Sequence, residues 1–149
     1  MSVERICQRN VDTAEPDESA FQAAERMHQR TVGSLVVVDK VGAPIGIVTD
    51  RDLTIRVVAA GRDAYTTPVR DVMTPRPKLA QPGTPIETAL SMMRVGGFRR
   101  LPLVDEEGRL AGVVALDDIL MLLATEFNRV GRILESETPQ EAAATSKRG

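Results

Sequence analysis

Tryptophan is absent from this chain of 149 residues, and aromatic side chains make up only 3% of it. The core must therefore be aliphatic, and a planar ligand would meet aliphatic walls rather than stacking rings. Cys7 is the only cysteine, which excludes an intramolecular disulfide and any cysteine-based metal cluster. His28 is the only histidine, so it reads as a surface residue rather than a metal ligand. Positive charge is not in excess: 19 Lys and Arg stand against 21 Asp and Glu, a net of −2, which argues against a nucleic-acid partner. No apolar run approaches the roughly 18 residues of a membrane span. The start, Met1-Ser2-Val3-Glu4-Arg5, lacks the apolar stretch of a signal peptide. The expectation is a soluble, cytoplasmic protein without a membrane partner. What is present is an apolar fraction of 42%, ordinary for a globular protein, in a chain suited to one domain or two small ones.

The chain repeats itself. Leu35-Val36-Val37-Val38-Asp39, Gly42, Gly46-Ile47-Val48-Thr49 and Asp52-Leu53 return as Leu101-Pro102-Leu103-Val104-Asp105, Gly108, Gly112-Val113-Val114-Ala115 and Asp118-Ile119. The shift is 66 positions, from Asp39 to Asp105, and it continues upstream without a gap. Ala23 and Met27 fall on Ala89 and Met93, Pro16 on Pro82, and Val3, Ile6 and Cys7 on Val69, Val72 and Met73. Self-similarity at a fixed period marks a duplicated structural unit.

Each copy reads β-α-β-β-α. An amphipathic lead-in (Val3–Cys7; Val69–Met73) precedes an extended stretch (Val11–Ala14; Lys78–Ala80). Next comes a helix with apolar residues at helical spacing: Ala20, Ala23, Ala24 and Met27, then Ile86, Ala89, Leu90 and Met93. The second helix is expected to start with Thr84 as cap, Pro85 in the first turn and Glu87 completing a capping box, and to stop at Gly96-Gly97. Two strands joined by a turn follow, at 34–39 with 44–48 and 100–105 with 110–114, their apolar runs implying burial on both faces. A last helix begins near Asp50 or Leu116, stopping around Gly61 in copy one and running to about Leu134 in copy two. The expected organisation is repeat 3–61, linker 62–68, repeat 69–134 and a polar, disordered tail 135–149. A unit of about 60 residues is marginal alone. The fold class is therefore α/β (α+β), with two pseudo-symmetric units packed through their sheets to make one core.

The motifs Gly46-Ile47-Val48-Thr49-Asp50-Arg51-Asp52-Leu53, Gly112-Val113-Val114-Ala115-Leu116-Asp117-Asp118-Ile119 and Arg99-Arg100-Leu101-Pro102-Leu103-Val104-Asp105, with the lead-in Val69-Arg70-Asp71-Val72-Met73-Thr74, resemble the CBS domain over roughly residues 3–130. That family occurs in pairs called Bateman modules. The resemblance implies clefts between the repeats that take adenosine-containing ligands: AMP, ADP, ATP, NAD or S-adenosylmethionine. It also implies a regulatory rather than catalytic role, and homodimers of pairs. No attached enzyme or channel is evident, so the chain resembles a stand-alone pair.

Thr49 and Asp52 stand where a strand turns into a helix. Helix N-termini suit phosphate, the Thr49 hydroxyl can donate to it, and the Asp52 carboxylate can accept from both hydroxyls of a ribose, matching the family's Thr/Ser-x-x-Asp motif. The same spacing is also an ordinary capping box. Copy two keeps Asp118 but has Ala115 in place of the hydroxyl, so its cleft would differ. Arg99 and Arg100 occupy the place where adenylate-sensing members carry a basic pair toward phosphate, and Arg forks suit phosphate oxygens. Copy one has Gly33 and Ser34 there, with one side-chain donor on Ser34. Arg51 and Arg56 lie within reach of a phosphate from the last helix of copy one, although exposed helical arginines are common. Val11, Thr13, Lys78 and Leu79 lie on the extended stretches that border adenine in the family, and Pro102 follows the arginine pair. Cys7 reads as packing, and Met92-Met93 and Met121-Leu122-Leu123 as core or dimer surface.

The sequence thus points to an adenine-nucleotide-sensing module that signals to a regulated protein. The alternative is a ligand-independent scaffold that dimerises and binds a partner through its long last helix. No nucleophile–base pair, metal set or glycine-rich phosphate loop supports an enzyme.

Overall fold

The structure, a computed structural model, describes residues 1–146, with side chains through Glu137. The last residues of the expected tail, 147–149, lie outside the described residues. The chain divides into two units, Met1–Ala115 and the part from Leu116 onward. In the first unit the order is β1 (Thr13–Ala14), α1 (Ala20–Arg30), β2 (Ser34–Val38), β3 (Pro44–Thr49), α2 (Asp50–Leu53), β4 (Thr74–Pro75), α3 (Ile86–Gly96), β5 (Arg100–Val104) and β6 (Leu110–Ala115). The lead-ins are single 3-10 turns at Val3–Arg5 and Val69–Asp71. A π-helical turn, Thr54–Val58, continues α2.

Local chemistry explains most boundaries. Ser19 and Gln22 form a complete capping box at the start of α1, satisfying donors that a helix start otherwise leaves unpaired. In α3 the structure differs from the expected cap. Pro85, in extended conformation, is itself the N-cap, and no side chain caps that helix. The Thr84 hydroxyl instead accepts from the Gln81 amide at 2.9 Å and closes the preceding turn. Gly97 ends α3 in the left-handed conformation that favours glycine. The two hairpins are built alike. Asp39 Oδ1 accepts from the amides of Val41 and Ala43, and Asp105 Oδ1 from those of Glu107 and Arg109. The repeated aspartates at these positions are therefore turn builders.

The two copies exchange their lead-ins. One sheet has the order β1-β2-β3-β4, with β1 parallel to β2 and the other pairs antiparallel, so its last strand belongs to copy two. Thr74 pairs with Ile47 there. The mirror event occurs at the β5–β6 sheet, where Gln8 of copy one bridges Val113 of β6, and Ala80 bridges Leu103 in parallel. The same reciprocity holds at the ends. The Val3 amide donates to Thr84 O at 2.9 Å and the Val69 amide to Glu18 O at 2.8 Å. Ile86 donates to Met1 O and Ala20 to Thr67 O. Each bond maps onto its twin by the 66-residue shift from Val3 to Val69.

Packing follows the exchange. Val69 and Val72 of copy two sit in the cluster formed by Ala20, Ala23, Met27, Leu35, Val37 and Val48 of copy one. Val3 and Leu101 are equally inaccessible. Burying one such valine contributes about 1.5–3 kcal/mol, so each repeat is stabilised by a segment of the other. Beside α1, Glu18 forms a two-bond ion pair with Arg26, whose Nη1 also donates to Thr13 O at 2.9 Å. The Glu18 hydrogen bond holds the Arg26 guanidinium above its ordinary range, so it stays charged.

The second unit is the helix α4 (Leu116–Ser146), with Asp117 and Asp118 in its first turn. The helix expected to end near Leu134 runs on to Ser146, across most of the segment expected as a disordered tail. Leu120, Leu123, Phe127, Val130 and Leu134 recur along it three and four residues apart, and all five are exposed. Among the described residues no helix is long and apolar enough to cross a membrane.

Candidate functional site

The turn from β3 into α2 is held by two short bonds. Asp52 N donates to Thr49 Oγ1 at 3.1 Å, and Thr49 N donates to Asp52 Oδ2 at 2.9 Å. The capping role considered for this pair is thus fully realised. It does not consume the chemistry of either side chain. The Thr49 hydroxyl accepts here and keeps its proton to donate. Asp52 keeps Oδ1, which lies 3.8 Å from Arg56 Nη2. Arg56 Nη1 in turn donates to Val72 O at 2.8 Å, tying this turn to the lead-in of copy two.

Above the turn lies a cleft of about 820 Å³ within the first unit. That volume is in the range of sites that hold a whole small ligand. Copy one contributes Gly33, Ser34, Ile47, Thr49, Asp50, Arg51 and Asp52, and copy two contributes Thr74, Arg76, Pro77, Lys78 and the run Gly96–Arg100. Strand ends supply most of these groups. Ser34 opens β2, Thr49 closes β3 beside it, and the exchanged β4 brings Thr74 to the edge of β3. Arg100 opens β5. Little room is left for a side chain at the exchange itself. A Cβ on Gly46 would lie 2.4 Å from Met73 Sδ, and one on Gly112 would lie 2.9 Å from Gln8 O.

Seven of the residues singled out from the sequence line this one cleft: Ser34, Thr49, Arg51, Asp52, Lys78, Arg99 and Arg100. Four others do not. Thr13 is in β1, with its carbonyl bound by Arg26. Pro102 is buried inside β5 and accepts from the Ala80 amide at 2.8 Å. Val11 and Leu79 flank the extended stretches without lining the cleft. Asp118 lies in the first turn of α4. The residues that sequence reasoning missed are Asp50, Thr74, Arg76, Pro77 and Phe98. The basic cluster Arg76-Pro77-Lys78 was a visible signal. The backbone of Arg76 was not: its φ of 51° places it in the left-handed region, where a side chain larger than Asn is uncommon.

The CBS domain family model matches residues 3–59 and 69–125. An uncharacterized protein of Methanopyrus kandleri is 37% identical over 122 residues; the match covers 82% of this chain and 62% of that protein. The CBS domain-containing protein YhcV of Bacillus subtilis is 38% identical over 118 residues, covering 79% of this chain and 82% of that protein. Among solved structures, CBSX2 in complex with AMP superposes with a TM-score of 0.72 at 26% identity, covering 83% of this chain and 96% of that one.

Proposed function

The chain belongs to the CBS-domain family, with two such domains in tandem, and from that premise we propose that it is a regulatory module that binds an adenosine-containing ligand in the cleft shared by its two copies. The observation that carries this reading is the composition of that single cleft. It joins the Thr49–Asp52 turn of copy one to the Arg99–Arg100 pair of copy two. In this reading Asp52 accepts from the ribose hydroxyls through Oδ1, and Thr49, Ser34, Arg99 and Arg100 donate to phosphate, with Arg51 and Lys78 at the margins. AMP in the CBSX2 complex supports the ligand class. A ligand held by both copies shifts their packing only as far as its affinity differs between two arrangements, and a partner protein reads the change. The role is regulation rather than catalysis.

Titration calorimetry with AMP, ATP, NAD and S-adenosylmethionine tests the proposal. At least one should bind below the millimolar range, and Asp52→Ala should weaken it by about tenfold or more, the worth of hydrogen bonds to a charged group. Binding that is unaltered in Asp52→Ala overturns the site, and no binding by any of the four overturns the module.

A second reading, a ligand-independent scaffold, is favoured by α4. Its five exposed apolar residues, Leu120 to Leu134, follow the three-and-four spacing by which helices pair. This surface suits self-association in a homodimer or a helical partner. A monomer at high concentration by sedimentation, unchanged in Phe127→Glu, would exclude self-association through α4.

A further inference from the structure

We propose that the ligand of the basic cleft carries a chain of two or more phosphates, a nucleoside di- or triphosphate rather than a monophosphate or a sulfonium nucleoside. The inference rests on the reading of the cleft as an adenosine-ligand site and narrows its ligand class. Five cations line the cleft, Arg51, Arg76, Lys78, Arg99 and Arg100, against two acids, Asp50 and Asp52, a local charge of +3 (+5 − 2). The whole chain carries −2, so the remainder carries −5 (−2 − 3). Charge is therefore segregated, and the positive share is gathered around one concavity, the arrangement that concentrates an anionic ligand.

The pairing state of these side chains points the same way. Among the described residues seven arginines outside the cleft are ion-paired, Arg9, Arg26, Arg30, Arg56, Arg70, Arg109 and Arg129, and four others, Arg5, Arg62, Arg94 and Arg132, are not. None of the five cleft cations has such a partner among the described residues. The two acids are already subtracted in that sum, and among the described residues neither forms an ion pair with a cleft cation: one oxygen of each is held by a local main-chain donor, Asp50 Oδ1 by Arg51 N and Asp52 Oδ2 by Thr49 N. A phosphomonoester brings close to two negative charges at neutral pH and leaves part of the +3 uncompensated. A di- or triphosphate brings three or four, along a chain able to meet cations on separate edges. Arg99 and Arg100 lie where β5 begins, and Arg76 and Lys78 just beyond β4.

Arg76 adds an independent observation. It sits in the left-handed region with φ 51°, its amide bound to Ile45 O at 3.2 Å. The equivalent position in copy one is Asn10, a residue type that tolerates that conformation, yet Asn10 does not adopt it. An arginine kept at a strained position on a cleft wall is consistent with use of its side chain.

Calorimetry on the full chain without divalent cations tests the inference with AMP, ADP, ATP, S-adenosylmethionine and inorganic tripolyphosphate. ADP and ATP should bind at least about tenfold tighter than AMP, the value of an added set of charge-assisted contacts. The preference should shrink as salt rises. Arg76→Gly relieves the backbone and removes one cation, so it keeps the fold; it should reduce the ATP-to-AMP ratio to below about threefold. AMP or S-adenosylmethionine binding as tightly as ATP overturns the polyphosphate inference while leaving the adenosine module intact. Tripolyphosphate binding without any adenosine ligand keeps a polyphosphate-binding cleft but overturns both the nucleoside part of the inference and the adenosine reading. Binding of none of the five overturns both.

Discussion

The two lead-in segments make the same main-chain bonds and carry opposite chemistry. Gln8 pairs with Val113 and Thr74 with Ile47, equivalent steps of one exchange. Past those points copy one continues with Asn10, Val11 and Asp12, and copy two with Arg76, Pro77 and Lys78. Asp12 is met by Arg30 at 2.8 Å, whereas its counterpart Lys78 has Gly96 in place of that partner and faces the cleft. The lesson is that pairing through peptide groups leaves side chains free to diverge. The exchange needs only backbone donors and acceptors and a small residue at Gly46 and Gly112. Everything projecting from the lead-ins can then be assigned to a ligand in one copy and to internal ion pairing in the other.

That comparison can be broken most forcefully in the core. Leu35 and Leu101 are equivalent and both almost fully buried. Leu35→Ala and Leu101→Ala should each cost about 2–5 kcal/mol, and by similar amounts, in urea unfolding. A large inequality would mean that the copies do not share the load. The exchange sites should sharpen the contrast. Gly112→Ala would press a methyl against the Gln8 carbonyl, which is fixed by the bond it accepts from Val113 N at 2.9 Å. Gly46→Ala would mainly displace the flexible end of Met73. Both overpack, at about 1–3 kcal/mol, and the Gly112 variant should lie at the upper end, as thermal unfolding of the two would reveal. The smallest effect should come from the helix starts. Ser19→Ala removes a capping box and should cost about 1 kcal/mol. The equivalent start at Pro85 has no side-chain cap to lose, so Thr84→Ala should leave the α3 cap unchanged.

Much of the fold was legible because its signals are local. The apolar runs of β2 and β5, the Asp39 and Asp105 turns and the glycine stop after α3 each announce themselves within a few residues. The repeat frame extended that reading across the chain, and with it the Thr49–Asp52 turn and the Arg99–Arg100 pair. The exchange was not legible, because nothing near Gln8 says that its partner is Val113. Thr84 misled for a related reason. Its spacing suits a cap, yet Pro85 already holds the capping conformation and leaves the hydroxyl to the turn at Gln81. Arg76 escaped because a side chain in a short connection shows its importance only when the backbone conformation and the cleft are known. The reach of α4 past Leu134 has no apolar periodicity to announce it.

The crossed lead-ins also have a kinetic meaning. Gln8 and Val113 lie 105 positions apart, and Val3 and Thr84 lie 81 apart, so these contacts close very long loops. Rates fall as contacts become more distant along the chain. The β2–β3 and β5–β6 hairpins need no such closure and can form early, each with an apolar face still uncovered. On a ribosome the wait is longer, since β6 must emerge before Gln8 can find its place. The first repeat is therefore synthesised as an unfinished object, completed only when its twin arrives.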